Sequence, residues 1–209
     1  MLLDAGADRN ARNSDGQTPY QFAVLYGQTD VAALLRVPEI NDALSPEDAF
    51  VAACARGDRE GAMMRLSATP DIVQRLSEKQ LKLLPNLAEQ GNSAAVKTMV
   101  EAGWPIDVRG GDWDASALNF AVYRGDVEMT EFLLSHGTDW RQKHGFGGNA
   151  RGTLAYGSKN NGEEFEQGDW PGYAKALILH GMPVPADEYE FSEDVTEYFE
   201  RLRGAAEAT

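Results

Sequence analysis

Cysteine is nearly absent from this chain, basic residues are scarce, and apolar runs are short. The 209 residues include one cysteine, Cys54, so no internal disulfide can form, and a reducing, cytoplasmic compartment is expected, with a secreted effector as the alternative. No apolar run approaches the roughly 18 residues that a membrane span needs, so no membrane partner is expected. Met1 leads directly into Leu2, Leu3 and Asp4, without a basic flank or a long apolar stretch, which predicts no signal peptide. Lys and Arg number 19 against 33 Asp and Glu, a net charge of −14 and a pI near 4.6. Phosphate binding draws on clustered Lys and Arg, so nucleic acid is not an expected partner.

Catalytic and metal-binding patterns are equally thin. His136 and His180 each precede a glycine that ends a predicted helix, where positive charge suits the helix C-terminus. His144 lies in a predicted loop with no Cys or acidic pair at ligand spacing. Cys54, in the run Ala52-Ala-Cys-Ala55, reads as a small core residue rather than a nucleophile. Gly145-Phe-Gly-Gly-Asn-Ala150 matches Gly-x-Gly-x-x-Ala. That fingerprint needs an apolar strand before it, and Trp140-Arg-Gln-Lys-His144 is not one. The acids Glu163, Glu164, Glu166 and Asp169 lack the spacing of a calcium loop. No cofactor, no metal and no enzymatic activity are expected.

What the chain does contain is a repeat. A small or apolar residue stands four positions before a glycine, or its equivalent, in five segments. These are Ala23-Val-Leu-Tyr-Gly27, Ala53-Cys-Ala-Arg-Gly57, Leu87-Ala-Glu-Gln-Gly91, Ala121-Val-Tyr-Arg-Gly125 and Gly157-Ser-Lys-Asn-Asn161, whose ends lie 30, 34, 34 and 36 residues apart. A second marker, two apolar residues with a glycine three beyond, recurs at Leu2-Leu3-Gly6, Leu133-Leu134-Gly137 and Leu177-Ile178-Gly181, and in softened form at Met99-Val100-Gly103. Two markers on one period near 33 indicate a stack of supersecondary units, each burying its apolar face against its neighbours.

Asp15-Gly-Gln-Thr-Pro-Tyr-Gln-Phe-Ala23 resembles the ankyrin signature Asp-Gly-x-Thr-Pro-Leu-His-x-Ala, and Leu2-Leu-Asp-Ala-Gly-Ala-Asp-Arg-Asn-Ala11 resembles that repeat's closing sequence. Ser116-Ala-Leu-Asn-Phe-Ala121 with Phe132-Leu-Leu-Ser-His-Gly137 is a third match, while the segments around Gly57 and Gly91 diverge and Asp48 stands where threonine is expected. The resemblance covers about residues 2–183. It implies an all-α ankyrin-repeat solenoid of stacked helix-turn-helix repeats with short finger loops. Repeats are assigned to residues 1–185, a partial first repeat and then about five, the last with an insertion at 162–168. The chain opens inside a repeat, so the array is expected to be cut short there. Residues 186–209 are assigned to a C-terminal capping helix and tail, because Val195, Tyr198, Phe199 and Leu202 fall on one helical face.

The resemblance also implies a function, protein binding through the concave face formed by finger tips and inner helices. The positions it marks are Tyr26 in the first finger repeat, and Asp112, Trp113, Tyr123 and Arg124 in the Gly125 repeat. In the last repeat they are Phe146, Asn149, Arg151 and Lys159. Trp, Tyr and Arg are the types enriched at interface hot spots. Trp104 and Trp140 are expected beneath the fingers, outside the binding set. The partner is a protein of unspecified identity, expected to be basic because residues 162–209 hold twelve acids against three basic residues, and the chain is expected to be a monomer. Residues 141–159 run the other way, with Arg141, Lys143, Arg151 and Lys159 and no acid. They serve either a partner or the acids Glu163 to Asp169 of the same repeat. The alternatives are an acidic inhibitor or immunity protein that covers a basic toxin, and an enzyme whose site the motifs do not reveal.

Overall fold

Each hairpin begins where a short polar side chain can satisfy helical N–H groups that have no partner in the helix. In the computed structural model, which describes residues 6–36, 43–160, 168–186 and 190–207, Thr18 and Gln21 form a reciprocal capping box with Pro19 in the first turn. They open α1 (Pro19–Leu25), which is followed by α2 (Thr29–Leu35). Ser45 caps α3 (Pro46–Ala55) and Asp58 caps α4 (Arg59–Ala68). A 3₁₀ turn (Val73–Arg75) and a one-turn helix α5 (Glu78–Leu81) precede α6 (Leu83–Glu89) and α7 (Ser93–Glu101). A two-residue pair, β1 (Arg109–Gly110) against β2 (Ala115–Ser116), leads into α8 (Ala117–Tyr123) and α9 (Val127–Ser135). Last come α10 (Ala150–Asn160), α11 (Trp170–Leu179) and α12 (Glu193–Glu207). None of the described helices is long and apolar enough to cross a membrane.

The chain divides into two compact units. Met1–Leu83 with Ala94–Trp104 makes the first, and Leu84–Ser93 with Pro105–Thr209 the second. In the first, α1 packs on α2 and on α3, and α3 on α4. Ala23, Val24, Ala32 and Ala52 form a buried cluster, and Trp104 lies 5.9 Å from the ring of Phe50 with its Nε1–H donated to the Leu81 carbonyl at 3.0 Å. Trp104 and Trp140 are both buried, so neither offers a binding surface. The repeat glycine also has a physical cause here. Gly57 has φ +70°, which side-chain-bearing residues rarely adopt, and a Cβ on it would stand 2.8 Å from the Ala94 methyl.

In the second unit α8 packs on α9 and α10, and α11 on α9, α10 and α12. Asp126 and Asp169 cap α9 and α11, the latter with Pro171 in the first turn. Leu118, Phe120, Leu133, Leu154, Tyr173 and Leu177 are fully buried. Val195 and Phe199 of α12 are buried as well, with Phe191 edge-on to Phe199 at 5.1 Å, and the helix continues past Leu202 to Glu207. The insertion expected at 162–168, Gly168 apart, and the Leu2-Leu3 marker lie outside the described residues.

Two expectations of register need correction. Counting back from Gly57 puts Asp48 at the start of its helix, but Ser45 is the cap and Asp48 sits in the first turn, because α3 runs ten residues where α1 runs seven. Asn161, taken as the equivalent of Gly125, lies outside the described residues, but positions counted back from it along α10 are displaced. The positions that match are 33 apart, and α10 is eleven residues long against seven for α8.

Candidate functional site

The finger of the second unit is held rigid by its own backbone. Arg109 pairs with Ser116 and Gly110 with Ala115, and the turn between them uses Gly111 at φ +70° and Asp114 at φ +48°. Arg109 closes that turn by donating to the Asp114 carbonyl at 3.2 Å and to its carboxylate. From below, Asn86 Oδ1 accepts the Gly111 N–H at 2.8 Å and Glu89 accepts the Asp112 N–H at 3.3 Å. Gly145 then donates its N–H to the carbonyls of Trp113 and Asp114, which ties the next loop to this tip. That loop is a tight turn, with His144 N–H to the Gly148 carbonyl and Gly147 N–H to the His144 carbonyl, both 2.8 Å. The Gly-x-Gly-x-x-Ala run therefore forms a turn and a helix start. Its Asn149 Oδ1 accepts the N–H groups of Arg151 (3.1 Å) and Gly152 (3.3 Å).

Finger, turn and helices together enclose an open groove of about 530 Å³, lined by Trp113, Tyr123, His144, Phe146, Gly148, Gly152, Thr153 and Tyr156. Trp113 is its centre. Its ring meets Phe120 edge-on at 4.8 Å, lies 5.6 Å from Tyr123, and meets His144 edge-on at 4.9 Å. Tyr123 of α8 and Tyr156 of α10 lie nearly parallel, 15° apart with centroids at 6.4 Å. Phe146 is 83% exposed and Tyr156 58%, a large apolar display on one surface. His144 Nδ1 accepts the Phe146 N–H at 3.2 Å, which leaves the remaining proton on Nε2. Burial, and after it the charge of Arg109, lower the His144 pKa below its usual value, so the ring is neutral.

Of the nine residues marked in the sequence, Trp113, Tyr123 and Phe146 come together in this groove. Asn149 is engaged as a cap, and Arg151 is half-buried in the first turn of α10. Asp112 is exposed on the finger. Lys159 pairs with Glu190. Arg124, marked for partner contact, is engaged within the fold: its Nη1 donates to the Glu89 carbonyl at 3.0 Å and its guanidinium covers Gly91. Tyr26 belongs to the first unit, where it stacks on Phe22 at 4.4 Å and lines a smaller groove of about 330 Å³ with Leu25, Leu83 and Lys79 among others.

Sequence reasoning missed His144, Thr153 and Tyr156. The signal for Tyr156 was present, because Trp113 to Phe146 and Tyr123 to Tyr156 are both steps of 33. Counting from Asn161 instead selected Lys159, one turn too late.

The other candidates are structural. Cys54 is fully buried, and burial, with the nearby charge of Asp58 adding to it, pushes its thiol up to about 12. The His136 ring hydrogen-bonds the Phe132 carbonyl at 2.8 Å and lies on that phenyl ring. Arg141 pairs with Asp139 at 3.4 Å and lies over the Trp140 ring. Of the acids considered as partners for the 141–159 cations, Asp169 caps α11 and the others lie outside the described residues. Among the described residues no three His, Cys, Asp or Glu side chains are placed to hold a metal.

Residues 84–134 match the family model for ankyrin repeats (many copies). No curated protein matches the chain. Among solved structures, the ankyrin repeat domain of Bcl-3, a member of the IκB protein family, is 20% identical, with 97% of this chain and 89% of that one covered at a TM-score of 0.54. An ankyrin repeat domain from Acinetobacter baumannii is 20% identical over 90% of this chain and 93% of that one, at a TM-score of 0.50. At this identity the likeness establishes the fold.

Proposed function

We propose that this chain, whose fold is that of ankyrin repeat domains, which in general mediate protein–protein interaction, is a non-enzymatic binding module whose partner protein docks in the aromatic groove of the second unit. One observation carries the reading: Phe146 and Tyr156, large side chains exposed to 83% and 58%, flank Trp113 and Tyr123 on one open surface. Leaving so much aromatic area in water is unfavourable, and covering it contributes roughly 25 cal/mol per Å². Aromatic residues grouped in one patch are also the side chains that dominate interface energetics. The groove is open and holds no converging charged groups, which suits a docking surface better than a reaction chamber.

The experiment is a comparison of the intact protein with the double variant Phe146→Ala/Tyr156→Ala, each immobilised in extract of the native cell and the recovered proteins quantified by mass spectrometry. A partner recovered in stoichiometric amount by the intact protein should be depleted at least about tenfold on the variant. The same proteins in the same amounts on both would remove the groove from the reading.

A further inference from the structure

The walls of the aromatic groove also bear on what enters it, an inference that rests on the reading just given. Five of its lining residues are rings, Trp113, Tyr123, His144, Phe146 and Tyr156, and the others are Gly148, Gly152 and Thr153. Among the described residues, no carboxylate, ammonium or guanidinium lines it. The rings are set as a corner rather than as a flat stack. Trp113 is tilted 59° from Tyr123 and 72° from His144, and His144 is tilted 73° from Phe146. Tyr156 lies 15° from Tyr123. Centroids of these pairs are 5.6, 4.9, 6.1 and 6.4 Å apart, so one guest atom can stand within about 6 Å of several rings at once.

The polar groups of the lining are largely spent on the fold. Thr153 Oγ1 donates to Asn119 Oδ1 at 2.8 Å, His144 Nδ1 accepts the Phe146 N–H, and the Gly148 carbonyl accepts the His144 N–H. A guest with N–H groups of its own finds few acceptors there, and burying a donor without a partner is unfavourable. Ring faces, by contrast, carry the negative side of the aromatic quadrupole and attract a cation, tryptophan most strongly. Arg109, the cation whose charge reaches the His144 ring, is neutralised by the Asp114 carboxylate. The chain as a whole stands at −14, which draws cations toward it.

We propose that the groove takes the quaternary ammonium of a trimethylated lysine on the partner protein. Its charge is drawn to the ring faces, its methyl groups pack against Trp113, Tyr123 and Tyr156, and it has no N–H to leave unsatisfied. An unmodified lysine brings three N–H donors and a tightly held hydration shell, and an arginine brings five donors. Neither meets a carboxylate in this lining. A neutral aliphatic anchor of the same shape fits the walls but forgoes the attraction between charge and rings.

The test selects binders to the full chain from pools of synthetic peptides with random flanks and one fixed central residue. That residue is trimethyllysine, lysine, arginine, or the uncharged isostere in which carbon replaces the quaternary nitrogen. Groove-directed peptides are those that lose binding to Phe146→Ala/Tyr156→Ala. Groove-directed trimethyllysine peptides should bind at least about ten times more tightly than the same sequences carrying any of the other three residues. Phe146→Leu/Tyr156→Leu keeps apolar bulk but removes two ring faces. It should weaken the trimethyllysine peptide about tenfold and leave the isostere peptide nearly unchanged. Both double variants replace exposed side chains, and their denaturation midpoints check the fold. If lysine, arginine or the isostere binds as tightly as trimethyllysine, or no trimethyllysine peptide is groove-directed, the inference is overturned, while groove-directed peptides from the other pools keep the groove as the docking site. If no peptide from any pool is lost on the alanine variant, the groove itself fails as the site and the inference fails with it.

Discussion

Arg124→Ala and Phe146→Ala are expected to fail in opposite ways, although both side chains occupy positions that the repeat assigns to partner contact. Arg124 is half-buried and donates one charge-assisted hydrogen bond to the Glu89 carbonyl while its guanidinium covers Gly91. Hydrogen bonds to charged groups contribute about 1.5–3 kcal/mol, and truncation also leaves the carbonyl short of a donor and opens space above the glycine. We expect a loss of about 2 kcal/mol, which for a chain of this length lowers the melting temperature by about 4–8 °C. Phe146 buries only a sixth of its surface, so its truncation should stay within about 0.5 kcal/mol of the parent. For binding the order inverts. Phe146→Ala should cost at least about 2 kcal/mol, some thirty-fold in affinity, whereas Arg124→Ala acts on binding only through the fold. The assay is guanidinium denaturation followed by far-ultraviolet circular dichroism, with midpoint and slope fitted for each variant, beside titration of the partner or of a selected peptide. An Arg124→Ala protein as stable as the parent would refute the structural role drawn from its contacts. A Phe146→Ala protein that binds normally would refute the site.

Three further outcomes are expected. Gly57→Ala should destabilise more than Gly103→Ala, measured by denaturation midpoint. Both have positive φ, worth about 1–2 kcal/mol to an L residue, but only Gly57 brings a new methyl within 2.8 Å of Ala94, while Gly103 has nothing within 4 Å. The His144 pKa is lowered from 6.5 by burial and by Arg109, so the unfolded chain takes up the proton first as pH falls. Its contribution is therefore fully present above pH 6.5 and is lost as the pH drops through the depressed value. The stability difference between the parent and His144→Gln should move against the parent over that window, and a pH-independent difference would contradict it. Phe199→Ala, which empties a buried site where α12 meets α11, should cost about 3–5 kcal/mol in thermal or chemical denaturation, and a loss below about 1 kcal/mol would show that α12 does not cap the unit.

Much of this protein is determined locally, and that part is readable in the chain. The helix starts at Thr18-Pro19, Asp126 and Asp169 follow from side-chain oxygens that satisfy backbone N–H groups two or three residues away. The glycines at 27, 57, 91 and 125 mark turns with φ between +67° and +76°, conformations open to a residue without Cβ, so the period of the repeat survives divergence elsewhere. The apolar stripe of α12 was legible for the same reason: helical spacing alone puts Val195 and Phe199 on one face. Helix length was not legible, because an extra turn in α3 or α10 changes no local signal at the glycine and shifts every position counted back from it. That is why Tyr156 was overlooked for Lys159, and Ser45 for Asp48. The partners of long polar side chains were equally out of reach. Whether Arg124 serves a partner or the Glu89 carbonyl, and whether His144 is a loop residue or a wall of the groove, depends on groups 35 and 31 residues away in the sequence. Tertiary packing alone brings those groups together.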